Sequence, residues 1–594
     1  MPAKIKSKNY IFSLIVMIVL MFLFYRSFYW QNNEIGKRKI LEIFIIIFGI
    51  VVVPVIAVTV TKINDMIGRF LEGFITATNY LRKNIKKVAL FAGIFIFLLV
   101  LSAGIEVIVD KFIYHTEFNI LRYYIVAAFN AVVYVLCVAR KSIASKPEIA
   151  FFVIVIIMGI TFIKVTPPIV GVSWDDEIHY ERTLSIANIF NGISYSSDNK
   201  MMDEYGDNIY ARVGYDRQSR NDYLNKLDKM YENRKIDNYT LPSFSVSYIS
   251  YIPAAIGIIL ARGAGLSYLH IFEMGKLFNL LLYACLFYFA IKKIKYGKYF
   301  VAVFGMLPLL VFLASSYSYD SWITAFSVLG FSYLMASIQE TDVKKCTNDM
   351  IWGSVFIAVG CIVKQVYFPL IFTAVFVALY NYKEYADKKK YIIKIVAIVA
   401  LFTLFLLASF VIPILLANET ATDTRGGADV NAISQIKYVL SNPLIYVKSL
   451  LSFFKSYLAI ENMSYLTLFG YAGNGEYWAI TVVTLIIVAF LDRNSEYRNY
   501  KLIRFAGVIM SFGAIVLVAS ALYAAFTPVG ATTVAGCSPR YIVPILLPVL
   551  YLIAPDGVDI KFNKKMLFII PILIFSVVIL NSLNMLCATC YITG

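Results

Sequence analysis

Apolar runs about as long as a bilayer is thick recur along almost the whole chain, and no other feature constrains the fold as much. In hydrocarbon, a run of about 20 apolar residues satisfies its backbone only as a helix or inside a closed barrel. Runs near this length cover residues 10–28, 40–60, 88–109, 121–139, 149–166, 270–291, 299–314, 321–338, 391–416, 477–491, 503–526, 540–554 and 566–586. They are continuous and do not alternate, which excludes an outer-membrane barrel and points to an all-α polytopic membrane protein. Composition agrees. Hydrophobic residues make up 60% and charged residues 15%, whereas a soluble chain has roughly half and a quarter.

Two long polar stretches interrupt the pattern, at about 167–243 and 417–476. The first apolar run follows Lys4, Lys6 and Lys8 and reads as a retained helix, because no small-residue cleavage site follows it. Lys/Arg clusters fix the expected orientation. Arg140/Lys141/Lys146, Lys292/Lys293/Lys295/Lys298, Lys344/Lys345, Lys388/Lys389/Lys390, Arg493/Arg498/Lys501/Arg504 and Lys561/Lys564/Lys565 should share the cytoplasmic side. They do so only if 244–262, which carries Pro253, does not cross fully. That choice gives about 15 spans, a cytoplasmic N-terminus and both polar stretches outside. Lys37, Arg38 and Lys39 oppose it. The runs at 351–363 and 366–381 are short and read as a hairpin with Lys364 at its outer tip.

The net charge of +17 is explained by cytoplasmic loops facing anionic headgroups, without nucleic acid as a partner. The seven cysteines are scattered, and the Cys587/Cys590 pair has no second pair or nearby His, so neither a disulfide framework nor a zinc site is expected. His115, His179 and His270 lack metalloprotease spacing.

Ionisable groups near the outer ends of spans are the candidate functional residues, because charge at a membrane edge is costly. The sequence Ser173-Trp174-Asp175-Asp176-Glu177-Ile178-His179-Tyr180 follows a span closely. Its adjacent carboxylates repel, so one should hold a proton more tightly and suit a general base. Asp175, Asp176 and His179 could instead hold a divalent cation such as Mg or Mn, and helix capping is the plain structural alternative. Asp320 lies in a short outward turn and could simply cap the next helix. Lys364 stands between two apolar runs, where snorkelling is the alternative role. Arg540, in Gly536-Cys537-Ser538-Pro539-Arg540-Tyr541-Ile542-Val543-Pro544, suits phosphate recognition or a loop ion pair. A glycine- and tyrosine-rich loop from Ile460 to Tyr477 suits sugar stacking or ordinary loop structure. Carboxylates and cations at one face match a transferase in which a base activates a hydroxyl and cations stabilise a departing phosphate. No nucleotide-binding glycine motif is present.

In their order along the chain, the acidic Trp174–Tyr180 stretch, Tyr317-Ser318-Tyr319-Asp320, Lys364-Gln365-Val366-Tyr367-Phe368-Pro369 and Gly536–Pro544 resemble a bacterial membrane-protein family termed domain of unknown function 2142. That family is similar to GT-C type membrane glycosyltransferases. The resemblance covers about residues 149–590 and leaves 1–148 as a four-span N-terminal extension. Its acidic hallmark falls on Asp175, Asp176 and His179, or on Asp176 and Glu177 one register later. Its late hallmark falls on Gly536, Arg540, Tyr541 and Pro544, with Ser538-Pro539 where the family has Gln-Gly. The resemblance implies a GT-C-like helical bundle whose first large external loop carries short surface helices. It implies a base on that loop and a second acidic position at Asp320.

The resulting expectation is a multi-pass protein of the bacterial cytoplasmic membrane. It would move a sugar, with inversion, from a polyprenyl-phosphate donor to a glycan, lipid or protein of the cell envelope. Asp175 or Asp176 would be the base, with Glu177, His179 and Asp320 beside it. Lys364, Arg540 and Tyr541 would hold the donor phosphate. The rival expectations are an envelope polysaccharide polymerase or ligase, a lipid-linked glycan flippase or transporter, and a non-catalytic scaffold.

Overall fold

The computed structural model describes residues 85–590 apart from 196–216, 239–245, 383–387, 401–428, 494–500, 555–562 and shorter gaps. The runs at 10–28 and 40–60, the triplet Lys37-Arg38-Lys39 and much of the run at 391–416 lie outside the described residues. The chain divides into two compact units, Met1–Phe97 and Leu98–Gly594. Of the first, only 85–97 is described, as helix.

Three helices lead the described chain: α1 (Ile85–Val109), α2 (Ile120–Ala139) and α3 (Pro147–Val165). The first polar stretch then carries α4 (Asp176–Asn191) and α5 (Arg217–Glu232). Between and after them, the short antiparallel strands β1 (Ile193–Tyr195) and β2 (Ile236–Asn238) pair with Ser194 opposite Asp237. The fold is therefore helical except for this ribbon. A 3-10 turn, Val246–Tyr251, leads into α6 (Ile252–Gly263). Next come α7 (Tyr268–Lys293), α8 (Lys298–Gly305), α9 (Pro308–Ala314), α10 (Asp320–Ile338), α11 (Val343–Cys361) and α12 (Pro369–Asn381). The chain closes with α13 (Ala432–Ser441), α14 (Pro443–Tyr457), α15 (Trp478–Leu491), α16 (Lys501–Ala525), α17 (Val543–Ile553) and α18 (Met566–Cys590).

Seven described segments are long and apolar enough to cross a membrane: Ala89–Tyr114, Ile120–Ala139, Pro147–Val165, Tyr268–Lys293, Asp320–Ile338, Lys501–Ala525 and Met566–Leu586. Four further apolar helical segments, 248–263, 365–380, 478–491 and 539–553, are shorter. Proline accounts for much of the shortening, because it cannot donate within a helix and favours its first turn. Pro308 splits the run at 299–314 into α8 and α9, and Pro369 opens α12.

The second polar stretch also differs from a plain loop. Its described part folds into α13, α14 and 3-10 turns. Averaged hydropathy conceals why. Tyr446, Phe453, Phe454 and Tyr457 recur at helical spacing along α14, and this face packs on α16, with Phe454 stacked on Phe512 and Tyr446 hydrogen-bonded to Ser520.

Helix α7 lies at the centre, against α3, α6 and α10. The tightest helix pair is α10 with α11, where Gly330 and Gly353 face each other and let the two backbones approach. One end of the body gathers the basic connections. There Lys295 donates to the Gln339 carbonyl (2.9 Å), Tyr551 to the Tyr296 carbonyl (2.9 Å) and Arg493 to the Tyr551 carbonyl (2.5 Å). The opposite end gathers the C-terminal ends of α3, α9 and α11 with the N-terminal ends of α10, α12 and α17.

Candidate functional site

The site begins where α3 stops. The chain bends through 166–175 and enters α4 at Asp176. Asp175 adopts a left-handed backbone with φ +54°, a conformation that Asp tolerates better than most residues. Across this turn the two adjacent carboxylates take different surroundings. Asp175 is partly exposed and accepts from Arg540 Nη2 at 3.3 Å. Asp176 is fully buried and accepts from the Tyr317 backbone N–H at 3.4 Å. Burial pushes the Asp176 carboxyl up to about 6, against the pull of nearby Lys276. Its Oδ2 has no hydrogen-bond partner among the described residues.

Arg540 sits in a 3-10 turn just ahead of α17 and is almost wholly buried. Its Nε lies 3.4 Å from Asp320 Oδ2, and its guanidinium lies over the Trp174 ring at 4.6 Å. Lys364, between α11 and α12, places its ammonium 4.0 Å from Asp320 Oδ1 and 3.3 Å from the centre of the Tyr541 ring. Asp320, the first residue of α10, thus faces both cations. Lys364 Nζ and Arg540 Nε and Nη1 are buried and make no hydrogen bond among the described residues. Buried N–H groups without an acceptor are rare and costly in a folded protein. These groups lie beside the carboxylate of Asp320 and, for Arg540, that of Asp175 as well.

His179 lies one turn into α4 and is buried. Its ring meets Tyr319 edge-on at 4.6 Å, and its Nδ1 lies 2.8 Å from the Tyr251 hydroxyl. Burial pushes its imidazole down to about 3, despite the acidic pull of Asp320 and Asp175. His179 is therefore neutral at ordinary pH.

The framework is specific. Tyr367 donates to the Tyr541 carbonyl (2.8 Å) and Tyr457 to the Ser538 carbonyl (3.2 Å), so both flanks of Arg540 are held. The loop after α14 packs on the acidic turn. Tyr465 stacks on Trp174, and the Tyr471 N–H donates to the Val172 carbonyl at 3.0 Å. Gly470, at φ +58°, allows this approach; a methyl group there would collide with that carbonyl.

Of the sequence-derived candidates, the structure gathers Asp175, Asp320, Lys364, Arg540 and Tyr541 at one place, with His179 beside them. It separates Asp176, whose buried side chain engages the Tyr317 backbone and Lys276 behind the turn. Glu177 is partly exposed and adjoins Asp176. Among the described residues no group of three His, Cys, Asp or Glu side chains assembles to hold a metal. The left-handed turn is the physical reason, because it sends one of the three carboxyls of that stretch into the core. Sequence reading missed Lys276, Tyr251 and Tyr319. Lys276 was the most accessible of these, as a charge inside an apolar run.

The model of a family described as a predicted membrane protein (DUF2142) covers residues 156–549, the segment that holds Asp175, His179, Asp320, Lys364, Arg540 and Tyr541. No curated protein and no solved structure matches the chain.

Proposed function

The chain belongs to the DUF2142 family of predicted membrane proteins, and from that premise we propose that it is an inverting, polyprenyl-phosphate-dependent glycosyltransferase. In this reading its architecture is GT-C-like, with about 15 spans. The basic end of the body faces the cytoplasm and the pocket opens towards the outer face of the bacterial cytoplasmic membrane. The acceptor is a hydroxyl of a cell-envelope glycan, lipid or protein.

The observation that carries the reading is the set of buried, hydrogen-bond-free cationic N–H groups on Lys364 and Arg540, set against two carboxylates. Arg540 offers the fork that matches a phosphate, and Lys364 a point charge. Helices α12 and α17, which start just after these cations, have 13 and 11 residues. At 1.5 Å per residue they reach only about 16–20 Å, against a hydrocarbon core of about 30 Å. Helix α16 has 25 residues, and its midpoint Gly513 lies beside Pro369. The cations therefore lie below the ends of the longer neighbouring helix α16.

The chemistry follows from these positions. The donor phosphate competes with Asp175 for Arg540 and releases that carboxylate. Asp175 takes the proton of the acceptor hydroxyl as its oxygen bonds to the anomeric carbon from the face opposite the phosphate. The bond from that carbon to the phosphate oxygen breaks, and Arg540 and Lys364 stabilise the charge that develops on the departing polyprenyl phosphate. Asp320 holds the two cations in register. Neutral His179 orients the acceptor.

The test is to incubate purified protein in lipid nanodiscs with labelled polyprenyl-phosphate sugars and an envelope extract. Label should leave the lipid with wild type and stay there with Asp175→Asn. Retention of label by wild type across a panel of such donors, with release of glycan from a diphosphate carrier, would replace this reading with the polymerase or ligase.

A further inference from the structure

We propose that the pocket has a second, separate subsite for an acidic sugar, built by Arg182 on a wall of Tyr248 and Tyr251. It deepens the transferase reading by giving the acceptor a chemical class: a glycan bearing a carboxylate or phosphate group.

Arg182 follows His179 by three residues on α4, so the two share a face. Its guanidinium lies 5.5 Å from the Tyr248 ring centre, and its Nη1 reaches the Tyr251 hydroxyl at 3.4 Å. Tyr248 and Tyr251 meet edge-to-face at 6.1 Å, both on the 3-10 turn ahead of α6. Among the described residues no carboxylate pairs with Arg182, whereas Arg540 has two. Arg182 is also partly exposed. An arginine fork anchored over aromatic rings and left with free donors matches an anion carried on a sugar ring, which can stack on the tyrosines.

A hydrogen-bond chain connects this wall to the first subsite. Arg182 can only donate, so the Tyr251 oxygen accepts from it. The Tyr251 proton then goes to His179 Nδ1, and neutral His179 carries its own proton on Nε2. His179 in turn packs against Tyr319, next to Asp320. An acidic group at Arg182 is thus read through Tyr251 and His179, one residue layer from Asp320.

The experiment measures saturation-transfer NMR from the full-length protein in nanodiscs to three small probes: methyl glucoside, methyl glucuronide and methyl glucoside 6-phosphate. The uronide, the phosphate or both should bind about tenfold more tightly than the neutral glycoside, as a charged hydrogen bond implies. The stronger of the two identifies the anion. Arg182→Gln should abolish that preference and Arg182→Lys should restore part of it. Dioctyl phosphate, a probe for the Arg540 subsite, should not displace the acidic glycoside. Equal binding of all three probes, an unchanged preference in Arg182→Gln, or displacement by dioctyl phosphate would each overturn the subsite. Failure of sugar transfer from lipid donors is read separately, because probe binding needs no turnover.

Discussion

Two almost fully buried arginines, Arg493 and Arg540, stand at opposite ends of the helical body, and they use the same side chain differently. Arg493 donates to the Tyr551 carbonyl at 2.5 Å and to the Ala489 carbonyl at 3.2 Å. Helix ends leave such carbonyls without partners, so this arginine closes the structure. Arg540 makes no bond to a carbonyl. It lies between Asp175 and Asp320, over Trp174, with two buried donors unused. Neighbouring carboxylates diverge in the same way. Asp492 accepts from the Phe300 N–H at 2.9 Å, while Asp175 accepts from the side chain of Arg540 at 3.3 Å. Burial alone therefore does not mark a functional charge in this chain. What separates the ends is what each arginine meets: backbone carbonyls around Arg493, side-chain carboxylates around Arg540.

The sharpest way to break this contrast is at the carboxylates. Asp175→Asn should reduce transfer by about a thousandfold, the scale expected for loss of a general base, with the folded fraction unchanged. Asp492→Asn should leave transfer per folded molecule within about twofold, since an amide oxygen still accepts from Phe300. Turnover normalised to folded protein decides it. Equal losses in both variants would mean that the two ends do not divide structure from chemistry.

A smaller effect is expected from paired arginine variants. Arg540→Lys keeps the charge but removes the fork, and transfer should fall about 10- to 100-fold with little change in melting temperature. Arg493→Lys should do the reverse, lowering the melting temperature by several degrees as its bonds to carbonyls are lost, at about 1 kcal/mol each. Kinetics and thermal unfolding in the same detergent measure both.

Much of this division was legible in the sequence. Apolar runs located the long helices to within a few residues, as at 149–166 for α3 and 321–338 for α10, because twenty apolar residues leave little choice of conformation. Charges at run ends located Asp175, Asp320, Lys364 and Arg540. The roles of adjacent residues were not legible. Nothing in the string Asp175-Asp176-Glu177 shows which carboxyl turns inwards, because that depends on one left-handed residue and on Lys276, a hundred residues away. The amphipathic α14 was hidden for a related reason: Lys448, Ser452 and Lys455 dilute the aromatic face that packs on α16.

The subtlest prediction concerns two titratable groups at the end that holds Arg540. Asp176 faces Lys276, Glu177 and the Tyr317 N–H, and burial raises it to about 6 from the ordinary 3.8. Between those values the folded protein holds a proton that the unfolded chain releases, so this group makes stability fall as pH rises from about 4 to 6. His179, near Asp320, Asp175, Arg540 and Arg182, is lowered to about 3 from the ordinary 6.5. Between those values the unfolded chain holds the extra proton, so this group makes stability rise with pH. In wild type the two slopes oppose each other over pH 4–6, and each is worth about 1.4 kcal/mol per pH unit where fully developed. Melting temperature should therefore vary little across that window. Asp176→Asn exposes the histidine slope, so its melting temperature should climb from pH 4 to 6.5. His179→Gln exposes the carboxyl slope, so its melting temperature should drop from pH 4 to 6. Parallel profiles for the two variants would show that Asp176 is not the buried acid behind the pocket, and the separation of Asp175 from Asp176 would lose its physical basis.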